Sequence, residues 1–75
     1  MNDTRRKKIK NNCEKIRDLM DTVQDIIDEE QECFDNLPEG FQDSDKGERM
    51  QESISSLEDA VDFMESAISS LEEAC

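Results

Sequence analysis

From Met50 to Cys75 the apolar residues step by alternating four and three: Met50, Ile54, Leu57, Val61, Met64, Ile68, Leu71, Cys75. That spacing is the a/d seam of a coiled-coil helix, in which one narrow face stays apolar over successive turns. The heptads are ISSLEDA (54–60), VDFMESA (61–67) and ISSLEEA (68–74). One position before each a residue lies a stripe of small side chains, Ser53, Ala60, Ala67 and Ala74, along which another helix backbone can approach closely. Glu58, Glu65 and Glu72 occupy successive e positions, so two copies of this helix have no e/g charge pairing to offer each other.

A second four-three series runs Ile9, Cys13, Ile16, Met20, Val23, Ile27, is broken by Glu30, and resumes at Phe34 and Leu37. Its flanking stripe, Leu19, Ile26 and Cys33, is bulky where the other is small. An antiparallel arrangement sets large against small: Leu19 and Ile26 over Ala60 and Ser53 or, one heptad along, over Ala67 and Ala60. On the opposite flank, Lys10 with Glu72 and Arg17 with Glu65 share a single register, since both pairs of numbers add to 82. Exposed ion pairs of this kind specify orientation more than they stabilise.

Between the two series lies the one turn-rich stretch, NLPEGFQDSDKG (36–47). Pro38 cannot donate to a helical ladder and disfavours α conformation at Leu37, so the first helix ends near Asp35–Asn36. Ser44 is the expected N-cap of the second helix, with Asp43 the runner-up; Asp45 and Glu48 suit its first-turn dipole and Gly47 weakens that turn. The sequence therefore predicts an all-α chain, an antiparallel two-helix coiled-coil hairpin in one domain. Its first helix covers about 5–35, the turn 36–44 and the second helix about 45–74. Met1 to Thr4 form a frayed lead-in, and a basic first turn at Arg5 to Lys8 opposes the helix dipole and is expected to be loose.

Length adds a second expectation. Seventy-five residues rarely bury enough apolar surface to be self-sufficient, and each helix carries an apolar arc wider than one neighbour covers. Dimerisation into a four-helix bundle follows, with Ile16, Met20, Val23, Ile27, Ile54, Leu57, Val61, Met64, Ile68 and Leu71 as the self-association seam. Leu57→Asp or Ile26→Asp is expected to unfold the protein, because each places a charge in apolar surroundings.

Charge narrows the partners. The net charge is −12, but residues 1–17 hold seven of the nine basic residues against two acids, and residues 18–75 hold two against nineteen. A chain of this balance repels nucleic acid and anionic membrane and attracts basic protein surfaces. As ordinary structure, the N-terminal cluster is a solvated basic tip or an ion-pair partner for the acidic remainder; direct nucleic-acid binding is not expected without interleaved aromatics.

No catalytic constellation can be assembled: there is no histidine, no phosphate loop, and no cysteine with a base beside it. Cys13, Cys33 and Cys75 form an odd set without CxxC spacing, which predicts neither a disulfide framework nor a metal site and fits a reducing cytoplasm. No cofactor is implied. No apolar run reaches the roughly 18 residues of a membrane span.

The candidate binding residues are of two kinds. Asp21, Asp25, Asp28, Asp59 and Asp62 lie on outward helical faces, and Phe41 and Phe63 are aromatics off the seam. The plain structural reading has Phe34, Leu37 and Phe41 plug the closed end of the hairpin; the sharper one makes Phe41 or Phe63 an exposed anchor. Glu30 reads as a polar break near the hairpin end or, alternatively, as a specificity determinant pairing across an interface.

The stretch 29–60 carries Glu30, Gln31, Phe34, Asp35, Asn36, Leu37, Pro38 and Glu39, then Gln42 and Ser44, then Ile54, Leu57, Glu58 and Ala60. With the heptads that continue to Ala74, it resembles short acidic helical-hairpin proteins encoded by bacteriophages and prophages, many from Gram-positive hosts. The resemblance implies a phage setting in a bacterial cytoplasm and nothing catalytic. The expectation is a small interaction protein that binds and modulates a bacterial host protein through a basic patch, as an anti-defence inhibitor does. The alternatives are a DNA mimic that occupies a nucleic-acid-binding groove and a structural or virion-assembly factor.

Overall fold

The computed structural model describes residues 1–75 and contains two helices, α1 (Asp3–Asp35) and α2 (Asp45–Ala74), packed against each other as an antiparallel hairpin. The molecule is a rod of 58 × 15 × 11 Å. Both four-three series turn inward. Cys13, Ile27, Ile54 and Ile68 are buried, while Ile16, Met20, Val23, Leu57, Val61, Met64 and Leu71 are half-buried along the same line. The apolar seam thus closes the hairpin on itself. Of the residues expected to join two copies, Ile27, Ile54 and Ile68 are buried within one chain, and the other seven are covered only in part.

The helix starts are set by side-chain caps. Asn2 accepts a hydrogen bond from the Arg5 backbone N–H at 2.9 Å, and Asp3 in the first turn receives one from Arg6 at 3.0 Å. α1 therefore begins two residues before the expected position, and its first turn is capped rather than loose: Asn2 answers one of the free backbone N–H groups, and the Asp3 carboxylate sets a negative charge at the positive end of the helix and pairs with the Arg6 guanidinium. Ser44 caps α2 as expected, accepting from the Gly47 N–H at 3.4 Å, with Asp45 and Glu48 in the first turn.

The connection 36–44 is more than a turn. Phe41 N–H bonds to the Pro38 carbonyl at 3.0 Å, Ser44 N–H to the Phe41 carbonyl at 3.1 Å, and Gly40 takes a positive φ of 94° that favours glycine. The Gln42 side-chain amide donates to the Phe34 carbonyl at 3.3 Å, which also accepts from the Leu37 N–H, and reaches the Asp35 carbonyl at 3.5 Å, tying the loop to the end of α1. The Gln42 main chain rests on α2. A Cβ on Gly47 would collide with the Gln42 carbonyl oxygen and stand 2.6 Å from the Phe41 carbonyl oxygen. Gly47 is buried for that reason. It does not merely weaken the first turn; its missing side chain is what lets the loop lie down.

That packed loop shifts the helix register. Arg17 pairs with Glu72, whose numbers add to 89 rather than the expected 82. The same offset brings Gln31 and Glu58 to one shallow cleft, and Met20 and Ile68 to another. Lys10–Glu72 and Arg17–Glu65 are therefore not the facing pairs. Of the two sequence-allowed registers the chain takes the second, in which Ala67 and Ala60 are the small residues nearest Leu19 and Ile26. A tight turn at 38–41 would have favoured the first; folding residues 36–44 back over α2 lets α2 slide along α1 by one heptad.

Candidate interaction surface

The register leaves α1 longer than its partner. Cys13 and Cys75 share a cleft at the open end, so residues 3–12 project beyond α2 as a single helix of about 15 Å at 1.5 Å per residue. Arg5, Arg6, Lys7, Lys8 and Lys10 stand exposed on this overhang. The basic cluster is a solvated tip, and only Arg17, the last basic residue of α1, reaches an acid of α2. That pair has side chains 52% and 56% exposed, which limits it to roughly 0.2–1 kcal/mol.

The acids lie on the outward faces. Asp21, Asp25, Asp28, Asp59 and Asp62 are all exposed, and Asp28 holds the Gln24 side-chain amide at 3.1 Å. Glu58, Glu65 and Glu72 line one flank of the hairpin, where Arg17 is the facing cation. Glu30 is half-buried in the seam and lines an open cleft with Lys46, Arg49 and Met50.

The other flank is apolar and uncovered. Leu19 is 58% exposed and Ile26 45%, with Cys33 also exposed, while Ala60 is half-buried and Ala67 open to solvent. Sequence periodicity expected Leu19 and Ile26 to be covered by the small stripe of the same hairpin. They are not, because alanine and serine are too short to reach across a helix pair whose spacing the seam residues set. Beside Ala60 and Ala67 stands Phe63, 74% exposed. Phe41 is 57% exposed at the hairpin tip. Of the three residues expected to plug the closed end, Phe34 and Leu37 are half-buried and do so. Phe41 stays outside, where the turn from Pro38 to Ser44 holds it between Glu39 and Asp43.

The clefts are shallow grooves between the helices, lined mainly by charged and amide side chains. No group of His, Cys, Asp or Glu side chains is gathered as a metal site, and no helix is long and apolar enough to cross a membrane. All three cysteines are free thiols, Cys13 buried and Cys33 and Cys75 exposed. No protein-family model, curated protein or solved structure matches the chain significantly.

Proposed function

We propose that this chain is a non-catalytic interaction protein of phage type, which pairs with itself into a four-helix bundle and occupies a basic patch on a bacterial host protein. The observation that carries this reading is the segregation of the surface. Acids cover the outward faces of a rigid rod, while one flank is apolar and uncharged across Leu19, Ile26, Ala60 and Ala67. Acidic faces steer a positive partner by long-range attraction, which raises association rate more than residence time. A rigid aromatic then adds residence, and Phe41 is placed for it at the acidic tip.

The test is retention of bacterial proteins on the immobilised chain at low and high salt, followed by kinetics on what is retained. Asp59→Lys with Asp62→Lys is expected to slow association chiefly at low salt, and Phe41→Ala to speed dissociation. Displacement of the retained protein by duplex DNA would instead favour the mimic reading, in which the acids stand in for phosphates. Retention that none of these substitutions alters would leave a structural or virion-assembly role as the better account.

A further inference from the structure

We infer that the apolar flank is the seat of a second copy of this chain, packed so that the Leu19–Ile26 ridge of each copy fills the Ala60–Ala67 strip of the other, with Phe63 closing the edge. The inference rests on the self-pairing reading above and specifies its geometry.

Area is the first observation. A compact monomer of 8.7 kDa exposes roughly 4,700 Å² by the usual surface scaling, whereas this chain exposes 5712 Å². The excess, on the order of 1,000 Å² and spread over the whole rod with its helical overhang, is large enough to supply the roughly 800 Å² that each partner contributes to a stable interface. The uncharged flank is where a chain of net charge −12 can accept another copy of itself, since its other faces are lined with acids.

Shape gives the arrangement. Side by side on this flank lie a ridge on α1 and a strip of small residues on α2, with Ala67 nearest Leu19 and Ala60 nearest Ile26. A two-fold axis parallel to the helices swaps the α1 and α2 positions without any shift along the rod. It therefore sets Leu19 of the second copy over Ala67 and Ile26 of the second copy over Ala60, large upon small at both levels. An axis perpendicular to the helices would stack ridge on ridge, hold the backbones apart and leave the alanines bare. In the parallel-axis arrangement Phe63 lies at a height between Leu19 and Ile26 of the second copy, which gives the most exposed large apolar side chain of the molecule an apolar seat. Half-buried Val23, Leu57 and Met64 lie next to the flank and complete the bundle core.

The same axis keeps like-charged segments level with one another: basic overhang beside basic overhang, acidic body beside acidic body. Added salt is therefore expected to tighten this dimer by screening repulsion. The perpendicular axis can lay a basic overhang along an acidic body, and salt would then loosen the pair.

Sedimentation equilibrium on the full chain reads the mass and its salt dependence, and is expected to give twice 8.7 kDa with tighter association at 0.5 M than at 0.05 M salt. Phe63→Ala is expected to raise the dimer dissociation constant about tenfold. Ile26 is 45% exposed on the hairpin, so Ile26→Asp, expected from the sequence to unfold the chain, is instead expected to give a monomer whose circular dichroism remains helical. For the arrangement itself, cysteines are introduced into a chain carrying Cys33→Ser and Cys75→Ser. A mixture of Ile26→Cys and Ala60→Cys chains is expected to form a crosslinked heterodimer under mild oxidation, while Ile26→Cys alone is not. Efficient self-crosslinking of Ile26→Cys, or a dimer that loosens in salt, overturns this packing. A dimer that survives both Phe63→Ala and Ile26→Asp overturns the assignment of the flank while self-pairing stands, and a monomer at every salt concentration overturns both.

Discussion

Replacing Gly47 by alanine should destabilise this protein, against the ordinary trend for a glycine inside a helix. By propensity alone the change adds about 1 kcal/mol, because alanine loses less backbone entropy on becoming helical. The structure opposes it. The new Cβ would meet the Gln42 carbonyl carbon and the Phe41 carbonyl oxygen at 2.6 Å, where ordinary contact begins at 3.4 Å, and the Gln42 carbonyl oxygen closer still. These are main-chain atoms that cannot rotate away, so the loop must lift from α2 as a unit. Lifting it strains the Gln42 amide bonds to the end of α1, the Ser44 cap and the turn that Gly40 supports. Overpacking of this kind costs about 1–3 kcal/mol, with the loop contacts additional, so the net effect is a loss of about 1–2 kcal/mol.

For a chain of this size each kcal/mol moves the melting temperature by roughly 4–8 °C. Thermal denaturation followed by circular dichroism at fixed protein concentration is therefore expected to show a fall of roughly 5–15 °C for Gly47→Ala. Combining it with Gln42→Ala should not restore stability, since the obstruction is the Gln42 backbone and not its side chain. A Gly47→Ala protein that melts higher than the parent would refute the reasoning and mean that the loop does not rest on the helix.

Three further outcomes follow from the packing. The register is checked by paired cysteines at facing positions in a Cys33→Ser, Cys75→Ser background: Gln31→Cys with Glu58→Cys should form an intrachain disulfide, and Gln24→Cys with Glu58→Cys should not. Ile54→Ala, which empties a buried seam position, should cost about 2–4 kcal/mol in denaturant unfolding, whereas Leu19→Ala should leave the hairpin helical and act on self-association. Arg17→Ala should change stability by less than ~1 kcal/mol and less still at high salt, because its pair with Glu72 is half-exposed.

The two helices, their seam and the Ser44 cap were legible in the sequence because each rests on local spacing: the four-three series, the serine before two acids, the proline that stops α1. The heptad register was not legible. Lys10–Glu72 with Arg17–Glu65 and the single pair Arg17–Glu72 satisfy the same charge pattern, and weak exposed pairs cannot choose between them. The choice falls to the loop, whose compactness depends on a glycine seven residues beyond Gly40 meeting a glutamine carbonyl. The sequence signal that could have found it is the glycine itself: a residue that weakens a helix start is retained where something must come close. The sequence pattern places Leu19 and Ile26 in the hairpin's own interior, because a large and a small stripe on antiparallel helices can meet across it. In the folded chain these stripes lie side by side and look outward, so their complementarity is offered to another molecule.

On that outward complementarity the two proposed associations have opposite expected responses to ionic strength. Self-pairing through the flank, as proposed, would bring acidic bodies together and be hindered by their charge; the proposed capture of a basic partner through Asp21, Asp25, Asp28, Asp59 and Asp62 would be helped by it. Pairing of this kind would also double the number of acids on one body, and so strengthen the field that steers the proposed partner while leaving the outward faces free. Ile26→Asp should therefore slow partner association by splitting the bundle, although it adds negative charge and removes none. Charge alone predicts the reverse, a faster encounter. Association rates of Ile26→Asp and parent with the retained partner at low salt decide the matter: a slower variant places the two associations in one mechanism, and a faster one separates them.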